Sequence, residues 1–323
     1  MSDIDFTYAV ARTRALEVHL FSASTIEQLL ACTTYEECLD FLLEKGWGDD
    51  DTPRDAESIL SREREKAWET VRELAPDMSM FDVLFYPNLF HNLKAAIKEV
   101  CTSETNAHIF YEDSPISGEQ MMEIIREKDF GRLPQSMVRA AQDAYDTLLH
   151  TRDGQLCDVI VDKAALYAIY AAGKAAEDDI IRDYAESVVA VADIKIAVRA
   201  QKTAKTAEFM KRAMADCSTI SVNDLIRAAG SSMEAIQEYL SGTVYAAGAK
   251  ALEESTSAFE RWCDNRIIET IKPQKYNSDS VGPIFAYAIA RENEIKTVRI
   301  VLTGKQNDLP VDSIRERVRE MYV

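Results

Sequence analysis

The sequence predicts an all-α protein made of three similar helical-bundle lobes related by pseudo-threefold symmetry. Three observations predict it. Lys94, Lys195 and Lys296 stand 101 residues apart in like segments: NLFHNLKAAIKE beginning at Asn88, AVADIKIAVRAQ at Ala190 and ARENEIKTVRIV at Ala290. This register pairs Leu93 with Ile194 and Ile295, and Asn92 with Asp193 and Glu294. A period of about one hundred residues is a small helical domain made three times, longer than the units of common solenoids. Second, FTYAVAR at Phe6 returns as FAYAIAR at Phe285, so both ends of the chain carry one helix. Third, 323 residues contain only 11 Gly and 8 Pro, roughly half the usual share of about 12%.

The elements follow in chain order. After the Phe6 helix, Thr33 or Thr34 with Glu36, Glu37, Cys38 and Phe41 opens a short capped helix. Gly46 and Gly48 flank Trp47 in a turn. Thr52, Pro53 and Asp55 give a capped start, after which Ala56, Leu60, Ala67, Val71 and Leu74 line one face until Pro76. Leu89, Leu93, Ile97 and Val100 mark the next helix, which Pro87 starts or kinks.

In the second lobe, Ser117 with Gln120 caps a short helix. Met137, Ala141, Tyr145 and Leu148 form one stripe, and Ile181, Ala185, Val188, Ala192 and Ile196 another. No Gly or Pro falls between Lys174 and Ala229, so helices there can run long. The third lobe has a cap at Ser221 with Asp224. Its stripes are Phe259, Trp262 or Cys263, Ile267 and Ile271, then Ile284, Ala288, Ile295, Val298 and Leu302, and Pro310 with Asp312 opens the final short helix. The lobes are expected at residues 1–113, 114–217 and 218–323. Three units, each turning the chain by about 120°, close around a shared axis and leave a central hollow.

Composition narrows the function. At 47% hydrophobic residues the chain can bury a sizeable core. A net charge of −18 argues against nucleic acid as a partner, because a phosphate backbone demands clustered Lys and Arg and is repelled by such a field. No signal peptide is expected, and the longest uncharged apolar run, residues 164–173, is far short of the roughly 18 residues of a membrane span. A soluble, cytoplasmic protein is therefore expected. The six cysteines, at 32, 38, 101, 157, 217 and 263, show no paired spacing and read as reduced thiols. Histidines 19, 91, 108 and 150 form no ligand pattern, and no GxxxxGK[ST] loop occurs. No catalytic, metal or cofactor residues are expected.

Four segments together carry a family resemblance: YPNLFHNLK at residues 86–94, DIKIAVRA at 193–200, GPIFAYAIARENEIKTVRIVLTGK at 282–305 and LPVDSIRERVREMYV from Leu309. The chain resembles the C subunits of bacterial and archaeal vacuolar-type rotary ATPases, equivalent to the d subunit of the eukaryotic proton pump. The resemblance implies a funnel of three helical lobes without a catalytic site. It also implies that the funnel sits on the membrane proteolipid ring, receives the foot of the central shaft and passes torque between them. Its partners would be the shaft subunits and the ring, and its place the cytoplasmic side of the membrane, held there through the complex.

A torque-bearing socket needs contacts spread about its axis, which makes Lys94, Lys195 and Lys296 candidates for its inner rim. They can instead pair within or between helices, as Lys296 can with Glu292 at i,i+4. Arg291, Glu294 and Arg299 are expected to lock the last helix. The acidic excess, including Asp49, Asp50 and Asp51, is expected to steer a basic shaft foot; that cluster also suits a helix start. Two other readings stand beside this one. One is a generic helical-repeat adaptor. The other is a prenyl-diphosphate enzyme, suggested by Asp178, Asp179 and Glu186 but opposed by Arg182, which can compete with magnesium for them.

Overall fold

A computed structural model of the chain describes residues 6–75, 77–102, 110–112 and 114–323. Pro76, the expected stop of a long helix, and His108 lie outside these. The described residues form no strand. They fold into helices α1 (Thr7–Glu17), α2 (Ala23–Ala31), α3 (Tyr35–Glu44), α4 (Ala56–Leu74), α5 (Asp82–Thr102), α6 (Gly118–Glu127), α7 (Gln135–Thr151) and α8 (Gly154–Ala175). They continue as α9 (Asp179–Lys202), α10 (Ala207–Ala213), α11 (Val222–Ser231), α12 (Met233–Ser241), α13 (Ala246–Glu254), α14 (Thr256–Ile271), α15 (Gly282–Gln306) and α16 (Val311–Arg315).

Side chains at the helix starts fix most of these boundaries. Ser22, Thr34, Asp55, Ser117, Asp153 and Ser221 each accept a hydrogen bond from a backbone N–H in the first turn of their helix. At α6 the Gln120 side chain also reaches back to the Ser117 N–H, completing a capping box. The cap of α4 is Asp55, while the Thr52 hydroxyl serves the preceding turn by donating to Asp49 Oδ1 at 2.5 Å. Pro87 lies inside α5, five residues after its start. It cannot donate to the Val83 carbonyl, so one rung of the ladder is lost there.

The chain divides into two compact units. The first joins Met1–Met78 to Ala247–Val323, and the second is Ser79–Ala246. In the first unit α15 is central, with 18 of its 25 residues buried, a pattern that fits a helix covered on nearly all sides. It packs on α4, α1 and α14, and its Ile295, Val298 and Leu302 meet Leu29, Leu42 and Leu60 in one core. The two end helices that share a sequence, α1 and α15, thus lie against each other.

In the second unit α8 packs on α5, α7 and α9 around Leu93, Met121, Ile125, Met137 and Tyr145. The α9 stripe read from sequence is only partly right. Ile181 and Ala185 are buried, but Val188, Ala192 and Ile196 are half-buried, and Val189, Ala190, Ile194 and Ala197 are buried instead. The reason is that α9 has α8, α10, α11 and α12 around it, so burial is not confined to one face. Its last turn ends without Gly or Pro, at Ala204 in the left-handed conformation.

Candidate functional site: buried anchors on the lysine-bearing helices

The three repeat-equivalent residues two positions before the lysines do the same work. Asn92, Asp193 and Glu294 are each 0% exposed, and each accepts a hydrogen bond from the backbone N–H of an incoming segment. Asn92 Oδ1 accepts from Tyr111 N at 2.8 Å, and its Nδ2 donates to Tyr111 O at 2.9 Å. Asp193 Oδ1 accepts from Ala215 N at 3.1 Å. Glu294 Oε1 accepts from Phe21 N at 2.5 Å. Two of the captured segments follow their helix in the chain, whereas the third comes from the N-terminal region. The last lysine helix is thus completed by the beginning of the chain.

The electrostatics of the three anchors differ, and the residue one turn earlier explains why. Before Glu294 stands Arg291, which donates to Glu294 and, at 2.5 Å, to Glu63 Oε2 on α4. Glu63 is 4% exposed and accepts from Gly48 N at 2.8 Å and from the Lys66 ammonium. Two carboxylates and two cations thus balance one another inside the first unit. Gly48 has φ +76, which lets the Trp47 turn present that N–H, and Arg291 lies 5.3 Å from the Trp47 ring centroid. Burial raises the Glu294 carboxyl against the opposing pull of Arg291 and the Phe21 N–H.

At the equivalent of Arg291 the other repeats carry Leu89 and Ala190. The amide of Asn92 needs no counter-ion. Asp193 has none on its own helix, its Oδ2 has no hydrogen-bond partner, and burial pushes its pKa up to about 7 against the Ala215 N–H.

Ion pairs tie these helices to their neighbours with a matching register. α5 packs on α8 through Lys98–Asp158 at 2.6 Å and Lys94–Asp162 at 2.7 Å. α15 packs on α4 through Arg299–Glu57 at 2.5 Å and Arg64–Glu292 at 3.1 Å. Asp158 and Glu57 are one repeat of 101 residues apart, and Lys98 and Arg299 are one residue short of two repeats. The last long helix therefore grips the first as the first-repeat helix grips the second. Ser61 stands at the equivalent of Asp162, so Lys296 meets no acid there. It pairs across helices with Asp264 on α14 at 2.7 Å, not with Glu292, and Arg319 of the C-terminal tail joins the same carboxylate at 2.6 Å. Burial works to raise the Asp264 pKa, and the two cations overcome it and hold it low. Lys195 is half-buried. The three lysines thus occupy equivalent positions without making equivalent contacts.

Comparison with known proteins decides the family. Residues 9–317 match the profile of the ATP synthase (C/AC39) subunit family. The chain belongs to that family. Over 316 residues it is 23% identical to the C subunit of the V-type sodium ATPase of Enterococcus hirae, a match covering 96% of each chain. It is 22% identical over 344 residues to the C subunit of the A-type ATP synthase of Methanocaldococcus jannaschii, covering 96% of this chain and 85% of that one.

In this C/AC39-family chain the residues behind the prenyl-diphosphate reading have other duties. Asp178 caps α9 by accepting from Ile180 N, Asp179 pairs with Arg182, and Glu186 accepts from the Thr219 N–H and hydroxyl, both at 2.7 Å. None of the six cysteines is in a disulfide; burial pushes Cys157 and Cys217 up to about 11 and Cys38 to about 12. Among the described residues no helix is long and apolar enough to cross a membrane. Glu63 escaped the sequence reading, although its signal was present: it fills the gap between Leu60 and Ala67 in the apolar stripe of α4, where a charge must be paired.

Proposed function

We propose that this C/AC39-family chain is a non-catalytic central-rotor subunit of a V/A-type ATPase or ATP synthase. It acts as a socket that couples the central shaft to the membrane proteolipid ring and transmits torque for proton or sodium transport. One observation carries the reading: Arg299–Glu57 joins α15 to α4 as Lys98–Asp158 joins α5 to α8, with the acids one repeat apart and the cations one residue off two repeats. Head-to-tail repeats whose last member returns to the first form a ring, and this supports three lobes, near residues 1–113, 114–217 and 218–323, around a funnel. The N-terminal residues through Phe21 complete the last of them.

A rotor part must resist twisting at each junction. The anchors at Asn92, Asp193 and Glu294 supply that resistance from inside each lysine helix. Lys94, Lys195 and Lys296 are proposed as rim contacts in addition to their pairings within the chain. The protein works on the cytoplasmic side of the membrane, held there through the complex, and its acidic surface attracts a basic shaft foot.

Reconstitution tests this. The purified chain should hydrolyse no ATP, should capture both shaft and ring, and should restore ion-coupled turnover to a complex stripped of it. Its association with the shaft should weaken as salt rises. A chain that captures neither partner is not the socket.

A further inference from the structure

The second unit carries a basic strip of which the rotor reading uses only Lys195. Residues 195–212 hold six cations, Lys195, Arg199, Lys202, Lys205, Lys211 and Arg212, against one carboxylate, Glu208, in a chain of net charge −18. Three contacts lay the following segment along α8. Lys205 Nζ donates to Gln155 Oε1 at 3.0 Å, Lys163 Nζ to Lys211 O at 2.7 Å, and the Tyr170 and Ser218 hydroxyls are 2.8 Å apart. These contacts bring cations and rings of α8 and the following segment together, with Asp216 the carboxylate beside Tyr167. Lys163 lies over Tyr167, Lys174 over Tyr170 and Lys205 over Phe209, at 5.6, 5.4 and 5.3 Å from the centroids. Tyr167 is 43% exposed, and Lys174, Arg199, Lys202, Lys211 and Arg212 are exposed. Leu156, Val159 and Phe209 line a groove of about 240 Å³ with Arg212, which pairs there with Glu208 at 3.1 Å, and with Asp153.

We propose that this strip binds an anionic phospholipid surface, so that the chain touches lipid directly as well as through its complex. Lysines on flexible stems suit a diffuse field of phosphates better than a fixed set of carboxylates. Tyrosine rings among them suit the headgroup layer, where one end of a ring is wet and the other apolar. The acidic remainder of the chain is repelled by the same surface and turns this face toward it.

The test is sedimentation of the full-length chain with vesicles of phosphatidylcholine alone and of phosphatidylcholine with phosphatidylglycerol, about three to one. Binding is expected only to the second, and should fall as salt rises. The combined change Arg199→Ser, Lys211→Ser and Arg212→Ser should weaken it about a hundredfold, at about fivefold per cation. The combined change Arg54→Ser, Arg139→Ser and Arg227→Ser alters net charge equally at exposed sites elsewhere and should leave binding within about twofold. Unchanged helical circular dichroism in both variants keeps the comparison sound. The proposal is overturned by equal loss in the two variants or by no preference for phosphatidylglycerol. Retention on immobilised polyaspartate through the same cations, without vesicle binding, also overturns it and makes the partner an acidic protein surface.

Discussion

Replacing Asp193 with asparagine converts the second anchor to the chemistry of the first, and its effect on stability should depend on pH. The folded pKa of Asp193 is about 7 against an ordinary 3.8. The folded state therefore holds this proton more tightly than the unfolded chain, and stability falls as pH rises through the window between those values. At about 1.36 kcal/mol per pKa unit, the carboxyl costs about 2 kcal/mol of stability at about pH 5, where it ionises only on unfolding, and about 4 kcal/mol at about pH 8, where it is ionised in both states. The amide of the variant does not titrate. Relative to that variant, the native chain should lose about 2–3 kcal/mol between those two pH values.

Urea unfolding of both proteins, followed by helical circular dichroism, measures this difference. Tryptophan fluorescence is the wrong probe, because Trp47, Trp68 and Trp262 all belong to the first unit, whereas Asp193 is in the second. An Asp193→Asn effect of the same size at both pH values would refute the claim that a lone buried carboxyl titrates there.

Other substitutions separate buried from exposed charge. Arg291→Met leaves Glu294 buried without its cation and Glu63 with Lys66 alone, and should cost about 3–5 kcal/mol in denaturant unfolding; a loss under about 1 kcal/mol would mean that the network is not closed to water. Arg299→Ala, at the exposed Glu57 pair, should cost under about 1 kcal/mol by the same measurement. Gly173→Ala should lower the melting temperature, because its Cβ would lie 2.3 Å from the Ala185 Cβ where α8 meets α9; such overpacking costs about 1–3 kcal/mol. Ser117→Ala removes the hydroxyl half of the α6 capping box and should cost about 1 kcal/mol, measurable as faster amide exchange in the first turn of α6.

Local chemistry is where the sequence reading works best. The caps at Thr34, Ser117 and Ser221 act on N–H groups three residues away, so the chain itself dictates them. The stripe Met137, Ala141, Tyr145 and Leu148 is buried as read, since α7 buries a single face. The stripe of α9 fails in part because a helix surrounded by others has no single buried face to reveal. Among the site residues, Arg291 and Glu294 are recognisable as one turn apart, and they do pair. Their third partner Glu63 is 228 residues from Arg291, and no local spacing announces such a distance.

The amino-acid order alone therefore fixed the helical class, the repeat of 101 residues and the alignment of Asn92, Asp193 and Glu294, because periodicity and capping are short-range properties. Only the tertiary structure decided what those aligned residues do: which backbone N–H each captures, that Phe21 serves Glu294, and that Ala190 leaves Asp193 without the cation that Arg291 gives Glu294. Burial and partnership depend on which distant segments pack together. The free energy of a charge depends on its solvent and its neighbours, and packing supplies both.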